Sequence, residues 1–411
     1  MPRSRLVHAL SFAVGLVMAG PVSAQVLPSQ PVTFLDGRLT VSGDVSAAFS
    51  TSDHETYFNY GDYQYDTMRL VRLGAAAALR LGPRVTAGAD VRAEGETKGG
   101  PWRVYPVSLF LRVRPFAASS FAVAAGIVQP AFGAFMQRRY GLDNLLIGYP
   151  LAYQYTTGVR ADALPATAND VLNNRAHGWT PNYSIGAGSG VSGLPLINAT
   201  GWSPGVTVSA HSATMSATVA VTKGGLAAPG SVSWNGGWEV TGRVELRPAT
   251  GLVLGVSGAR GSFVDERLSP IVATAVSNRD PRETAVGLDA EYSWGYWLVR
   301  METVISLRTY PAFLAPYLLD PLTAVGIDGE VRYKIRPGLY AAARVGHLAF
   351  GTIDGSAGPA GWDADVTRVE AGLGYSIIRN VLVKAVYQYN RRDSTRLPSL
   401  SLGAAQLVVR F

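Results

Sequence analysis

From Arg38 onward, apolar and polar positions alternate in segments of about ten residues, the length of a tilted strand that crosses a bilayer. Val41, Gly43, Val45, Ala47 and Phe49 interleave Thr40, Ser42, Asp44 and Ser46. Val85, Ala87, Ala89, Val91 and Ala93 interleave Thr86, Gly88, Asp90, Arg92 and Glu94, and near the end Val381, Val383, Ala385, Tyr387 and Tyr389 oppose Lys384, Gln388 and Asn390. One such strand would also suit a soluble sandwich, whose charged side faces water. Its repetition along the whole chain points to a closed barrel with an apolar wall.

The connections alternate too. Short turns fall at 81–84, 114–119, around Ser212, and at 247–251, 293–295, 336–338 and 377–380. Longer segments fall at 51–67, 96–101, 129–203, 224–237, 261–283, 309–321, 349–364 and 391–399. Transmembrane barrels have tight turns at one end and long loops at the other, so the pattern predicts an all-β, transmembrane antiparallel barrel of about sixteen strands. The longest connection follows the fifth strand and is the third loop. A connection of that length is expected only where it folds into something with a job. Its Phe132, Phe135, Leu145, Leu146, Ile147, Tyr149, Tyr153 and Tyr155 need burial, which predicts an infolded loop. There Arg138, Arg139, Asp143, Arg160 and Arg175 are expected to set a field across a pore constriction, with Arg300, Arg332, Lys334, Arg368 and Glu370 lining the lumen from the strands. Trp102, Tyr105, Tyr292, Trp294, Tyr296, Trp297, Tyr387 and Tyr389 lie near strand ends, where interfacial girdles form.

The N-terminal residues change the picture of location. Arg3 and Arg5, the apolar run Ala9 to Ala19 and the small-residue triplet Val22-Ser23-Ala24 before Gln25 form a cleavable secretory signal, residues 1–24. This leaves a short periplasmic segment at 25–37 and the barrel at 38–411. No later stretch approaches 18 uncharged apolar residues, which excludes a helical bundle. The absence of cysteine excludes disulfides, thiolate metal sites and a catalytic thiol. Lys+Arg of 36 against Asp+Glu of 29 gives +7, and losing Arg3 and Arg5 leaves +5, too dispersed for a nucleic-acid face.

Other candidate chemistry is weak. Gly188 to Gly193 matches a dinucleotide fingerprint by letter, yet no strand precedes it and Leu194-Pro195 follows where a helix should start. Asp354, Asp363 and Asp365 lack the spacing of a calcium loop, so no metal or other cofactor is expected. Tyr57, Phe58, Tyr60, Tyr63 and Tyr65 in the first loop suit loop packing or sugar stacking. His211 beside Ser209 and Ser212 leaves a hydrolase conceivable, without a visible third group to orient the base.

The last strand is more specific. Ala405, Leu407, Val409 and Phe411 put apolar side chains at every second position and finish on an aromatic residue. Here the chain resembles the Gram-negative outer-membrane porins, general or phosphate-selective, whose final strand ends in Phe and is read by the barrel-assembly machinery. Pro130-Ala131-Phe132-Gly133 is similar to the segment entering the third loop of the phosphate-selective members. The resemblance implies an outer-membrane diffusion channel for small hydrophilic solutes, not an enzyme, with Phe411 as assembly signal, a third loop that narrows the pore, and a homotrimer among lipid and lipopolysaccharide. Basic residues at the rims and in the third loop add an expected weak anion preference. The alternatives are a channel selective for sugar, phosphate or a hydrophobic compound, and an outer-membrane hydrolase.

Overall fold

The computed structural model describes residues 30–53, 67–96, 102–116, 120–188, 191–199, 202–230, 233–277 and 279–411. The expected signal at 1–24, most of the first loop with its aromatic residues, and part of the 188–193 glycine motif lie outside these. Among the described residues, sixteen long strands follow in chain order: β1 (Leu39–Ser52), β2 (Thr67–Arg80), β3 (Val85–Glu96), β4 (Arg103–Val113), β5 (Ala122–Val128), β6 (Ser203–His211), β7 (Met215–Lys223), β8 (Trp238–Ala249), β9 (Leu252–Ser262), β10 (Arg282–Trp294), β11 (Trp297–Thr309), β12 (Leu322–Arg336), β13 (Leu339–Phe350), β14 (Val366–Ile378), β15 (Val381–Arg392) and β16 (Ser399–Arg410). Each pairs antiparallel with the next, and β1 pairs with β16 from Asp44 opposite Arg410 to Ser50 opposite Ala404, so the sheet closes on itself. Gly43 and Phe411 extend this seam by exchanging both backbone N–H···O bonds, at 3.0 and 2.9 Å.

Closure leaves no unpaired edge, the condition for strands to cross a bilayer. The alternation read from the sequence becomes two faces. Leu288, Val345 and Leu373 are exposed by 54, 53 and 53% on the outside, part of an apolar outer surface suited to lipid. The molecule is therefore a membrane-spanning barrel of the outer-membrane kind. Tyr292, Trp294, Tyr296, Trp297 and Tyr333 cluster around the turn joining β10 and β11, with Tyr292–Trp294 and Trp294–Trp297 ring centroids 5.0 and 6.3 Å apart. Tyr105 departs from the expected girdle. It faces inward and stacks on Trp202 at 4.6 Å.

Tight turns close the periplasmic end. Gly251 and Gly338 hold φ of 81 and 80° there, a conformation that costs glycine little. The segment before the barrel is not simply extended: Val32–Phe34 folds back and pairs with Leu39–Val41.

With lipid outside, the apolar core lies inside the barrel, against the connection between β5 and β6, called L3 from here (residues 129–202). L3 carries two short helices, α1 (Leu151–Gln154) and α2 (Ala168–Asn173), the second opened by a Thr167–Asp170 capping box. Phe132, Phe135, Met136, Leu146, Leu151 and Tyr155 of L3 are buried with Leu298, Val304, Ala324, Leu348 and Phe350 of the wall. The loop is infolded, as its apolar content requires.

Candidate functional site

Backbone groups of an infolded loop must find partners, and the inward face of β8–β15 supplies them. Thr241 and Ser257 hydroxyls accept from Ala131 N–H and Gly133 N–H at 2.8 and 3.0 Å. The Glu302 carboxylate accepts from Ala134 N–H, Phe135 N–H and the Tyr153 hydroxyl. Further round, cations meet carbonyls. Arg344 donates to Gly148 O and Asn144 Oδ1 at 2.9 and 3.1 Å, and Arg368 donates to Tyr149 O and Gln154 Oε1 at 2.8 and 2.7 Å. Lys384 Nζ sits among three carbonyl oxygens, those of Gly141, Asn144 and Leu146, at 2.6, 2.6 and 3.0 Å.

This side also carries a ribbon of alternating charge. Arg138 pairs with Glu291 (2.9 Å), Glu291 with Arg300 (2.7 Å), Arg300 with Glu330 (3.2 Å), Glu330 with Arg344 (2.5 Å) and Arg344 with Glu370 (3.0 Å). Successive members come from L3, β10, β11, β12, β13 and β14, so the ribbon fastens the loop to five strands. Burial holds the Arg138 guanidinium below its ordinary pKa, and neighbouring Arg300 pushes the same way.

The opposite wall, β1–β4, meets the loop at points such as Arg72, which donates to the Tyr149 hydroxyl at 3.4 Å, and between them leaves two cavities. One of about 1020 Å³ is bounded by Arg72, Glu94, Tyr105, Tyr149, Trp202 and Arg267 among others. The second, about 330 Å³, lies toward the periplasmic end and is bounded by Asp44, Asp90, Arg92, Arg139, Tyr140 and Arg410 among others. Their walls are ion pairs: Arg72–Glu94 at 2.6 Å, Arg92–Asp44 at 2.5 Å and Arg92–Asp90 at 3.1 Å. Arg92 and Arg139 stand 4.2 and 4.4 Å from the Tyr140 ring centroid, an arrangement that holds guanidinium groups at the cavity wall.

At the outer end, Asp363 locks the loop to the β13–β14 connection. Its carboxylate is fully buried and accepts from the N–H groups of Gly158, Ala176 and Ala364 at 2.9, 2.8 and 2.7 Å. Burial pushes this carboxyl up to about 6, against the pull of those three donors.

The residues anticipated for a constriction do not gather in one place. Arg138 and Arg139 lie deep beside the two sets of ion pairs, and Asp143 sits near the periplasmic mouth, 3.6 Å from Arg410. Arg160 is sealed within L3, donating to Asp162, Pro181 O and Gly188 O. Arg175 stands at the outer rim, 3.1 Å from Asp393. All five anticipated wall residues are on the inward face, but Arg368 and Glu370 are buried beneath the loop, whereas Arg332 is half-buried and Lys334 exposed. Arg72, Glu94, Tyr105 and Tyr140 bound the cavities and were not singled out as lining. Alternation alone marks Arg72 and Glu94 as inward, but nothing local marks which wall the loop leaves open. His211 faces inward at the periplasmic end of β6, without an orienting carboxylate on its ring among the described residues.

Solved structures share this architecture. A loop L8 deletion mutant of OmpT, an outer membrane protein of Vibrio cholerae, matches over 91% of this chain and 99% of its own, at 11% identity and a TM-score of 0.54. In-vitro folded OmpT of Vibrio cholerae matches over 92 and 99%, at 11% identity and 0.53. Salmonella typhi OmpF in complex with daunomycin matches over 92 and 100%, at 12% identity and 0.55. The fold is therefore porin-like. No protein-family profile and no curated protein sequence matches the chain.

Proposed function

We propose that this porin-like barrel is a passive diffusion channel for small hydrophilic solutes, with a weak preference for anions. The observation that carries the reading is the polar space left beside the infolded loop, whose walls bear Arg72, Arg92 and Arg139 together with Asp44, Asp90 and Glu94. A passage lined by both signs in paired form favours hydrated, polar permeants and discriminates little between ions. The anion lean comes from Arg332 and Lys334, which face inward on β12 and have no carboxylate partner among the described residues. Diffusion asks for a radius and a field, so the reading contains no catalytic step.

Recording the refolded barrel in planar bilayers tests this. Linear, unsaturated conductance with a small anion-side zero-current potential in a KCl gradient is expected, and reversing Arg332 and Lys334 to Glu should carry that potential to the cation side. A silent barrel, or conductance blocked saturably by one sugar or phosphate, would overturn the reading.

A further inference from the structure

The outer surface of the barrel carries a polar row where the apolar band ends. His347 on β13 pairs across the ladder with Thr367 on β14, Thr367 with Arg391 on β15, and Arg391 with Ser399 on β16. All four side chains share the outward parity of the row beneath them, Val345, Val369, Tyr389 and Ser401, whereas their chain neighbours Leu348, Arg368 and Asn390 are buried inside. The row thus lies at one height, facing lipid, at the loop end of four consecutive strands.

A cavity of about 820 Å³ opens on it, bounded by His347, Thr367, Arg391, Arg175, Ser394 and Thr395 with the two aspartates 365 and 393. His347 Nδ1 lies 2.9 Å from the Thr367 hydroxyl, which orients both polar ends in the same spot. The acidic neighbours are engaged: Asp393 pairs with Arg175 at 3.1 Å, and Asp365 accepts from Phe350 N–H at 2.9 Å. Arg391 is exposed and has no carboxylate partner among the described residues. A lone guanidinium on a lipid-facing wall is tolerated near the headgroup level and is costly further in. There it has one kind of anion within reach on the membrane side, a phosphate on a lipid whose acyl chains run down the Val345, Val369 and Tyr389 band.

We propose that His347, Thr367 and Arg391 form a binding site for the phosphate of an outer-leaflet lipid headgroup. The inference rests on the membrane orientation of the barrel and not on its conducting, so the bilayer recordings can fail while this site stands.

Native mass spectrometry of the mature barrel in detergent, titrated with diphosphoryl lipid A, tests it. Wild type should bind about tenfold more tightly than Arg391→Glu, the loss expected of one charge-assisted contact. Arg391→Gln, which keeps the side chain's length, should weaken binding in the same direction and serves if the reversal impairs folding. Lipid A stripped of phosphate should bind wild type as weakly as the variants. Millimolar inorganic phosphate should not displace the lipid. Arg260→Glu, at an outward arginine on β9 that pairs with Val240 and Thr284, should leave binding intact. Equal affinity of wild type and both Arg391 variants, equal binding of the dephosphorylated lipid, displacement by free phosphate, or an equal loss at Arg260 would each overturn the proposal.

Discussion

A buried lysine surrounded by carbonyl oxygens is a residue with one task. Lys384 has its three N–H donors on Gly141, Asn144 and Leu146, and its side chain is 1% exposed. Replacing it by Met keeps the volume and orphans three buried acceptors, each worth about 1 to 3 kcal/mol when left without a donor. Lys384→Met should therefore loosen the lowest turn of L3 and raise open-channel noise, while Lys384→Arg should retain most of the wild-type behaviour. Unchanged noise and unchanged thermal unfolding in the Met variant would show that the carbonyl cage does not hold the loop. The sequence already put Lys384 on the inward face by alternation. It could not say that the charge meets backbone dipoles and not water, because those carbonyls lie some 240 residues earlier in the chain.

At the scale of elements, the strands were legible and the loop's interior was not. Turns and loops fall within a few residues of where the alternation breaks, since a strand with one lipid face and one inward face writes its period into the sequence. L3 has no such period. Its course is set by distant partners such as Asp363, whose neighbours Gly158 and Ala176 are loop residues some 190 to 200 positions away. That latch gives a pH prediction. Docking raises the Asp363 carboxyl to about 6, above the 3.8 of an ordinary aspartate, so the docked loop binds a proton more readily than the released one. The contribution is fully present below pH ~4 and is lost as pH rises through about 6, with an upper bound of about 3 kcal/mol. Amide exchange at Gly158 and Ala176, corrected for intrinsic rates, should slow relative to neighbouring strands on going from pH 7 to 5. Asp363→Asn should remove that dependence; a variant that keeps it would place the titration elsewhere.

For the whole molecule, closure depends on a single seam. Phe411 exchanges two backbone hydrogen bonds with Gly43 at the end of the β1–β16 ladder, and the terminal strand resembles a recognition signal for assembly. Deleting Phe411 removes both, so folded, heat-modifiable barrel should fall severalfold in the outer-membrane fraction with precursor or periplasmic aggregate in its place. Wild-type yield of folded barrel from this truncation would leave the terminal residue without a role in assembly. An approximate number of strands and the place of the long loop could be read from rhythm alone. The distribution of open space could not, because Arg72 and Arg368 look alike in the sequence and only the loop's lean toward β8–β15 leaves one beside a cavity and the other sealed.

The fastening of L3 to the late strands also sets a timetable. Arg368 and Lys384 reach its carbonyls across 219 and 240 residues of chain, and contacts so remote in sequence form last. Until β14 and β15 arrive, the carbonyls of Gly141, Asn144, Leu146 and Tyr149 lack the cations that hold them in the finished barrel. Docking of L3 therefore waits on the last strands, and its apolar residues add to the surface open to aggregation during the interval between making the third loop and inserting those strands.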